Sequence, residues 1–291
     1  MGPTGSGKTD LSIRVALYYH APILSTDSRQ VYRGMPIGTA QPAEDQLQAV
    51  EHHFIASHDI TDELSCGRYE TEALNCLDML FERHDTVVAV GGSGLYVKAL
   101  CEGMDALPEV DPQLRIQLNA RLEQEGLESL AAELRAVDPV YYEQVDRSNP
   151  QRVLRALEVS LQTGKPYSSF RTGTKQKRGF EIVKIGVDMP REVLYDRINR
   201  RVDLMVEEGL VEEARRLYAY RALNSLQTVG YRELFEYFDG KISLEEAIDL
   251  IKRNSRRYAK RQLTWFRRDE AVRWFAPDEI LSIFRYIDFG A

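Results

Sequence analysis

Gly2-Pro3-Thr4-Gly5-Ser6-Gly7-Lys8-Thr9 is the stretch that decides the fold. It has the form of a phosphate-binding loop, in which glycines let backbone N–H groups wrap phosphate oxygens at the start of a helix. Lys8 adds a point charge in this reading, and Thr9 a ligand for Mg²⁺. The required helix follows, because Leu11, Val15 and Tyr18 recur at helical spacing between Thr9 and His20. The pattern also asks for a buried strand ahead of the loop, where this sequence has only Met1. The expectation is therefore a natural start further upstream, with about five to eight more apolar residues.

Moving outward, Pro22-Ile23-Leu24-Ser25-Thr26 reads as a short buried strand, and Asp27 to Thr39 as a polar loop. A helical stretch near Glu44 to Glu51, a short strand near Phe54 and an amphipathic helix from about Tyr69 to Arg83 come next. Thr86-Val87-Val88-Ala89-Val90, ended by Gly91-Gly92, reads as a strand buried on both faces. The fold class expected is α/β: a P-loop NTPase-like parallel sheet flanked by helices, with an inserted all-helical domain. After Pro108 the segments are helical in succession, one of them punctuated by Asn149 as N-cap, Pro150 at the first position, and Gly164 then Pro166 past its end. The limits predicted are 1–110 for the first part of the core, 111–180 for the helical insertion and 181–291 for the return. That return opens with a strand from Glu181 to Asp188, followed by three helices. The last has a capping box, Ser243 with Glu246, and runs to about Trp265.

The 291 residues, 43% of them apolar, suffice for one large core or two small ones. No apolar run approaches the roughly 18 residues that span a bilayer, and the N-terminus lacks a secretory layout, so no membrane contact and a cytoplasmic location are expected. Cys66, Cys76 and Cys101 show no C-x-x-C pairing and read as buried small residues. His52, His53 and His58 are clustered, but adjacent histidines on a strand point to opposite faces, which argues against a zinc site. The net charge of −7 excludes a protein that coats nucleic acid indiscriminately, yet it leaves room for a local basic surface. Between Lys252 and Arg268 stand eight Lys or Arg and no Asp or Glu. Arg253, Arg257 and Arg261 recur every four residues, with Tyr258 and Trp265 interleaved, a composition that suits phosphate contact and base stacking with single-stranded RNA. A merely solvated helix face is the alternative. Lys175, Lys177 and Arg178 form a second basic loop, either flexible or in contact with a stem backbone.

Two features concern chemistry. Phosphoryl-transferring P-loop proteins usually end a buried strand with an acidic residue that supports Mg²⁺, whereas here the strand ends in Val90-Gly91-Gly92-Ser93-Gly94. A diphosphate ligand other than a hydrolysed nucleotide becomes plausible. Asp27 ends the strand from Pro22, at the carboxyl edge where ligands collect in α/β sheets. It is a candidate general base, with turn formation as the bland alternative.

Taken together, several stretches resemble the bacterial tRNA dimethylallyltransferases, also called tRNA isopentenyltransferases. These are Gly2 to Thr9, Asp27-Ser28-Arg29-Gln30-Val31-Tyr32-Arg33-Gly34-Met35-Pro36-Ile37-Gly38-Thr39-Ala40, Gly91-Gly92-Ser93-Gly94-Leu95-Tyr96, Asn149 to Glu158, Val229-Gly230-Tyr231-Arg232 and Lys260-Arg261-Gln262-Leu263-Thr264-Trp265-Phe266-Arg267. The resemblance runs nearly end to end. It implies transfer of a dimethylallyl group from dimethylallyl diphosphate to N6 of the adenosine 3′ of the anticodon, with Mg²⁺ as cofactor, the tRNA anticodon stem-loop as partner and a monomeric enzyme. It implies that Gly2, Pro3, Thr4, Gly5, Ser6, Gly7, Lys8 and Thr9 hold the donor. Asp27, Thr4 and Lys8 would be catalytic, Thr4 bonding the bridging oxygen, and Arg232 is a candidate extra clamp on the diphosphate. Contacts to tRNA fall, on the same resemblance, to Asp27, Ser28, Arg29, Gln30, Ser93, Arg115, Gln151, Arg152, Val153, Leu154, Arg155, Gly230, Tyr231, Arg232, Lys260, Arg261, Gln262, Thr264, Trp265 and Arg267. The lead-in Ser225-Leu226-Gln227-Thr228 departs from the family's pattern. Rival readings are a P-loop kinase of a small metabolite, a transferase acting on free adenine nucleotides, and an RNA-binding protein with a relic loop.

Overall fold

The computed structural model describes residues 1–290. In chain order the elements are α1 (Lys8–Tyr19), β1 (Ile23–Ser25), α2 (Glu44–Ala49), β2 (His52–His53), α3 (Cys66–Phe81), β3 (Val88–Val90), α4 (Gly94–Glu102), α5 (Pro112–Glu125), α6 (Leu127–Val137), α7 (Pro139–Gln144) and α8 (Pro150–Thr163). They continue as β4 (Ile185–Val187), α9 (Arg191–Glu207), α10 (Leu210–Leu217), α11 (Tyr231–Phe238), α12 (Leu244–Phe266), β5 (Arg273–Phe275) and α13 (Ile280–Phe289). The fold is mixed α/β with small parallel sheets. Five α-helices follow β4 rather than three, and β5 was not expected, because short segments broken at Gly209 and Gly230 leave little periodicity to read.

Two compact units divide the chain: residues 1–101 with the chain from 178 onward, and 102–177. In the first, strand order is β2-β1-β3, all parallel, with Ile23 opposite Val88, Leu24 opposite Ala89 and Ser25 opposite Val90. β1 is fully buried because it is central and apolar on both faces. Tyr69 of α3 packs over it, donating its hydroxyl to the Ser25 carbonyl at 2.9 Å and stacking on Tyr96 of α4 with ring centroids 3.9 Å apart. Ser65 caps α3 through Arg68 N–H at 3.2 Å, as a serine before an apolar periodic run should.

β3 departs from the reading of its sequence. Val88 and Val90 are half-buried and Ala89 is exposed, so it is not covered on both faces. The cause lies beside it. β4 and β5 pair with each other and not with β3, and a cavity of about 390 Å³ runs between, lined by Val88, Ala89 and Val90 on one side and Ile185 and Val187 on the other. Met1 enters this groove: its ammonium donates to the Ile185 carbonyl at 2.7 Å, and Val187 N–H donates to the Met1 carbonyl at 2.9 Å. That is a parallel bridge along β4. Burial, then the Lys8 charge, pushes the Met1 ammonium down to about 5.

The second unit is helical. Leu118, Leu130, Leu134, Val153, Leu154 and Leu157 form its core, and α8 has the expected Asn149 cap, Pro150 start and left-handed Gly164. Buried Asp138 caps α7 through Tyr141 N–H at 2.9 Å and accepts from Ser168 N–H at 2.6 Å. Its limits, 102 and 177, are earlier than the predicted 111 and 180. No helix among the described residues is long and apolar enough to cross a membrane.

The groove generates a prediction. Appending about six β-branched residues ahead of Met1 should raise the urea midpoint over that of a Gly/Ser extension of equal length, since burying two Val side chains alone is worth roughly 3 kcal/mol. Equal midpoints would show that the groove does not accept a strand.

Candidate functional site

Gly2 to Thr9 wraps into the N-terminus of α1. Gly7 is its N-cap at φ 81°, a left-handed geometry that a side chain resists, and a Cβ there would also approach the Arg197 guanidinium to 3.3 Å. N–H groups of the first turn have no partner within the helix, and the helix dipole adds a positive end. Lys8 curls back so that Nζ donates to the Pro3 carbonyl at 3.2 Å. Burial pushes its ammonium down to about 8, opposed by the Asp27 carboxylate and reinforced by the Arg201 charge.

Asp27 stands just past β1. Its Oδ1 accepts from Arg29 N–H at 2.9 Å and Gln30 N–H at 3.3 Å, so the turn-forming role exists alongside any catalytic one. Ser28 is tied across the sheet edge: its N–H donates to Ser93 Oγ at 2.9 Å, and Ser93 donates to Ser28 Oγ at 3.0 Å. Ser93 is therefore a brace for the turn. Gln30 binds the loop to itself, donating to the Ala40 carbonyl at 2.6 Å, and Arg29 donates to the Asn224 carbonyl at 2.7 Å. Glu213, fully buried, accepts from Ile37 N–H at 3.0 Å, Gly38 N–H at 2.8 Å and the Tyr231 hydroxyl at 2.6 Å.

Two chambers flank the loop. One of about 390 Å³ is lined by Thr4, Lys8, Thr9, Asp27, Arg201, Arg232 and Tyr258 among others. The other, of about 320 Å³, lies against Gly5, Gly7, Lys8, Thr9, Arg197, Arg200 and Arg201. Lys8, Thr9, Ala40 and Arg201 border both, so the chambers meet at the loop that ends in Lys8 and Thr9. The α9 arginines were missed in the sequence. Their signal was Arg197 and Arg201 four apart beside the buried stripe Leu194, Ile198, Val202. Burial lowers the proton affinity of the Arg201 guanidinium, with Asp27 raising it and Arg197 lowering it further.

α12 presents the basic surface. Arg253, Arg257, Lys260 and Arg261 are exposed and have no carboxylate partner among the described residues, and Arg261 and Tyr258 line the larger chamber. Trp265 is partly exposed, its ring against Gly94, and Thr264 is exposed. Other residues expected to contact RNA have partners or packing of their own within the chain. Val153, Leu154 and Tyr231 have no exposed surface, and Gln262 is 6% exposed, so their side chains pack inward. Gly230 is buried at the start of α11. Arg115 and Arg155 face the fully buried Glu158, Arg115 donating to its Oε2 at 2.6 Å, so much of their charge is spent inside the helical unit. Arg267 pairs with Asp188, and Arg178 is buried against Glu70 at 2.7 Å instead of forming a basic loop surface. Gln151, Arg152 and Arg232 are exposed as expected. The histidines have ordinary partners: His58 lies 2.9 Å from Glu72 and 2.8 Å from Ser57 Oγ, and His53 3.1 Å from Glu51. Of the cysteines Cys76 is buried, while Cys66 and Cys101 are half-buried.

Thr9, at the end of the loop, is of a type that can join phosphate oxygens and water around Mg²⁺. No group of three or more His, Cys, Asp or Glu able to hold a metal exists among the described residues.

Residues 30–269 match the model of a family described as IPP transferase. A protein of Phocaeicola vulgatus named tRNA dimethylallyltransferase 1 is 51% identical over 287 residues, 99% of this chain and 96% of its own length. A tRNA dimethylallyltransferase of Christiangramia forsetii is 52% identical over 289 residues, with 99% and 96% covered. Among solved structures, a full-length tRNA isopentenylpyrophosphate transferase of Bacillus halodurans is 41% identical with a TM-score of 0.72, covering 99% of this chain and 93% of that one. A eukaryotic dimethylallyltransferase acting on tRNA superposes with a TM-score of 0.80 at 26% identity, covering 98% and 74%. A match across most of the length, by family model and by relatives alike, means that this chain belongs to the IPP transferase family.

Proposed function

We propose that this protein transfers the dimethylallyl group of dimethylallyl diphosphate to N6 of adenosine 37, immediately 3′ of the tRNA anticodon, and releases pyrophosphate. The observation that carries the reading is one chamber holding both the phosphate loop, with Lys8 and Thr9, and the Asp27 carboxylate. Relatives named for this activity support it over the kinase and relic-loop alternatives.

Adenine N6 is a weak nucleophile because its lone pair is delocalised into the ring. As N6 bonds to the allylic carbon, the carbon–oxygen bond breaks and its electron pair leaves on pyrophosphate. Asp27 accepts the N6 proton. Charge growing on the leaving group meets the amides of the loop, Lys8, Arg201 and Arg197, already oriented before reaction. Thr4, Arg232 and Thr9 line the larger chamber: in this reading Thr4 bonds the bridging oxygen, Arg232 is an extra clamp on the diphosphate, and Thr9 would hold Mg²⁺, which when bound neutralises phosphate charge. The donor's diphosphate suits the cationic smaller chamber, and the larger one, with Tyr258 and the exposed face of α12, receives the base. An unpaired loop adenine leaves its stack at a cost of only a few kcal/mol. Gln151 and Arg152, exposed on α8, and Ser28 to Gln30 with Lys260, Arg261, Thr264 and Trp265 are the RNA-facing candidates that remain. A monomer suffices, since the chain supplies every group named.

Incubation with dimethylallyl diphosphate and tRNA from a strain lacking the modification should add one dimethylallyl group per substrate tRNA. ATP in place of the diphosphate should add nothing, and transfer of phosphate instead would sink the proposal. Asp27→Asn should lower kcat by about 10²–10⁴ with tRNA affinity kept within a few-fold. A kcat unchanged by that substitution removes Asp27 as the base. Lys8 is charged below its depressed value of about 8 and neutral above it, so kcat/KM for the donor should fall as pH rises through about 8. A flat profile from pH 7 to 9 would deny Lys8 its charge role.

A further inference from the structure

Gln262 sits in the motif assigned by resemblance to RNA, yet its surroundings give it other work. The side chain is 6% exposed, although Lys260 and Arg261 before it and Thr264 after it are exposed on the same helix. Thr4 N–H of the phosphate loop donates to its Oε1 at 2.8 Å, and its Nε2 donates to the Gly92 carbonyl at 2.8 Å. One carboxamide thus joins α12 to the phosphate loop, 258 residues away, and to the turn after β3, 170 residues away. Gly92 permits the approach: a Cβ at that position would stand 2.2 Å from Nε2.

We propose that Gln262 is a positioning residue of the donor site, fixing the Thr4 backbone against the Gly91-Gly92 turn, and that it makes no contact with tRNA. The inference rests on the transferase reading above. Its chemistry suits an amide, which at every pH accepts from an N–H at one end and donates to a carbonyl at the other without charge. Thr4 lines the chamber with Lys8 and Asp27, so the position of its side chain there depends on the backbone that Gln262 holds. Loss of the brace leaves the buried Gly92 carbonyl and the partly buried Thr4 N–H unpaired and lets the loop shift beside the chamber. A glutamate there behaves differently with pH. Ionised, it turns an oxygen lone pair toward the Gly92 carbonyl and sets a negative charge beside the departing pyrophosphate. Protonated, it reproduces both hydrogen bonds, its O–H donating to Gly92 and its carbonyl accepting from Thr4.

The test measures three quantities on wild type, Gln262→Leu and Gln262→Glu: steady-state kinetics with dimethylallyl diphosphate and tRNA, affinity for inorganic pyrophosphate by calorimetry, and affinity for tRNA by filter binding. Gln262→Leu should lower kcat on the order of 10–100-fold and weaken pyrophosphate, with tRNA affinity within twofold of wild type. For Gln262→Glu, the activity relative to wild type should climb as pH is lowered from 8 to 5.5. Loss of tRNA affinity with donor kinetics and pyrophosphate binding intact would overturn the proposal. So would a deficit in Gln262→Glu that stays constant with pH, which is the reading that decides should Gln262→Leu fail to fold. A wild-type protein that transfers no dimethylallyl group would instead refute the transferase reading, and the pyrophosphate and tRNA measurements would still decide the role of the residue.

Discussion

The parallel register of β1 against β3 is the constraint on which the site depends. With Ser25 opposite Val90, the next amide, Thr26 N–H, reaches the Val90 carbonyl at 2.7 Å, and Ser93 N–H returns to the Thr26 carbonyl at 3.3 Å. Asp27 and the Gly91-Gly92-Ser93 turn therefore leave the sheet side by side at its carboxyl edge. A shift of one residue would turn Asp27 to the other face and break the Ser28–Ser93 bonds. The strands are only two or three residues long, so the register is held by what packs on them, above all Tyr69 bonded to Ser25 and stacked on Tyr96.

Around that edge, buried polar groups take over from the short sheet. Glu213 gathers two amides of the 27–40 loop and the Tyr231 hydroxyl, and Glu233 accepts from Gly230 N–H at 2.9 Å and Asn254 at 2.8 Å. Loops that would otherwise fray are fixed by carboxylates whose own charge is satisfied by three donors or two. Many residues of such loops are thus architectural.

Local signals in the sequence located what is local. The Ser243–Glu246 capping box, the Asn149-Pro150 start and the Gly164 stop each hold at the position read, because a cap is decided by neighbours within four residues. The helix that follows the glycine-rich stretch and the place of Asp27 beyond β1 were likewise legible. Side-chain direction was not. Tyr231 and Gln262 look like surface groups in a motif, and only partners far along the chain, Glu213 and Thr4, turn them inward. The run from Thr86 to Val90 promised burial on both faces, and its exposure reflects the groove between β3 and β4, which no residue of the run can announce. Arg197 and Arg201 were overlooked because an arginine pair on a helix reads as ordinary solvated charge until the fold lays it against the loop.

Lys8, Arg197 and Arg201 converge on one concave loop, where burial lowers the proton affinity of Lys8 and Arg201, Asp27 raises both, and Arg201 in turn lowers Lys8 as Arg197 lowers Arg201. Folding thus assembles mutually repelling charges, a cost that a polyanion settling among them removes. The ligand-free protein carries internal tension that the occupied one does not. In a cell, the lifetime of this chain should therefore lengthen when an anion occupies the loop, through the small fraction of molecules that open and meet proteases.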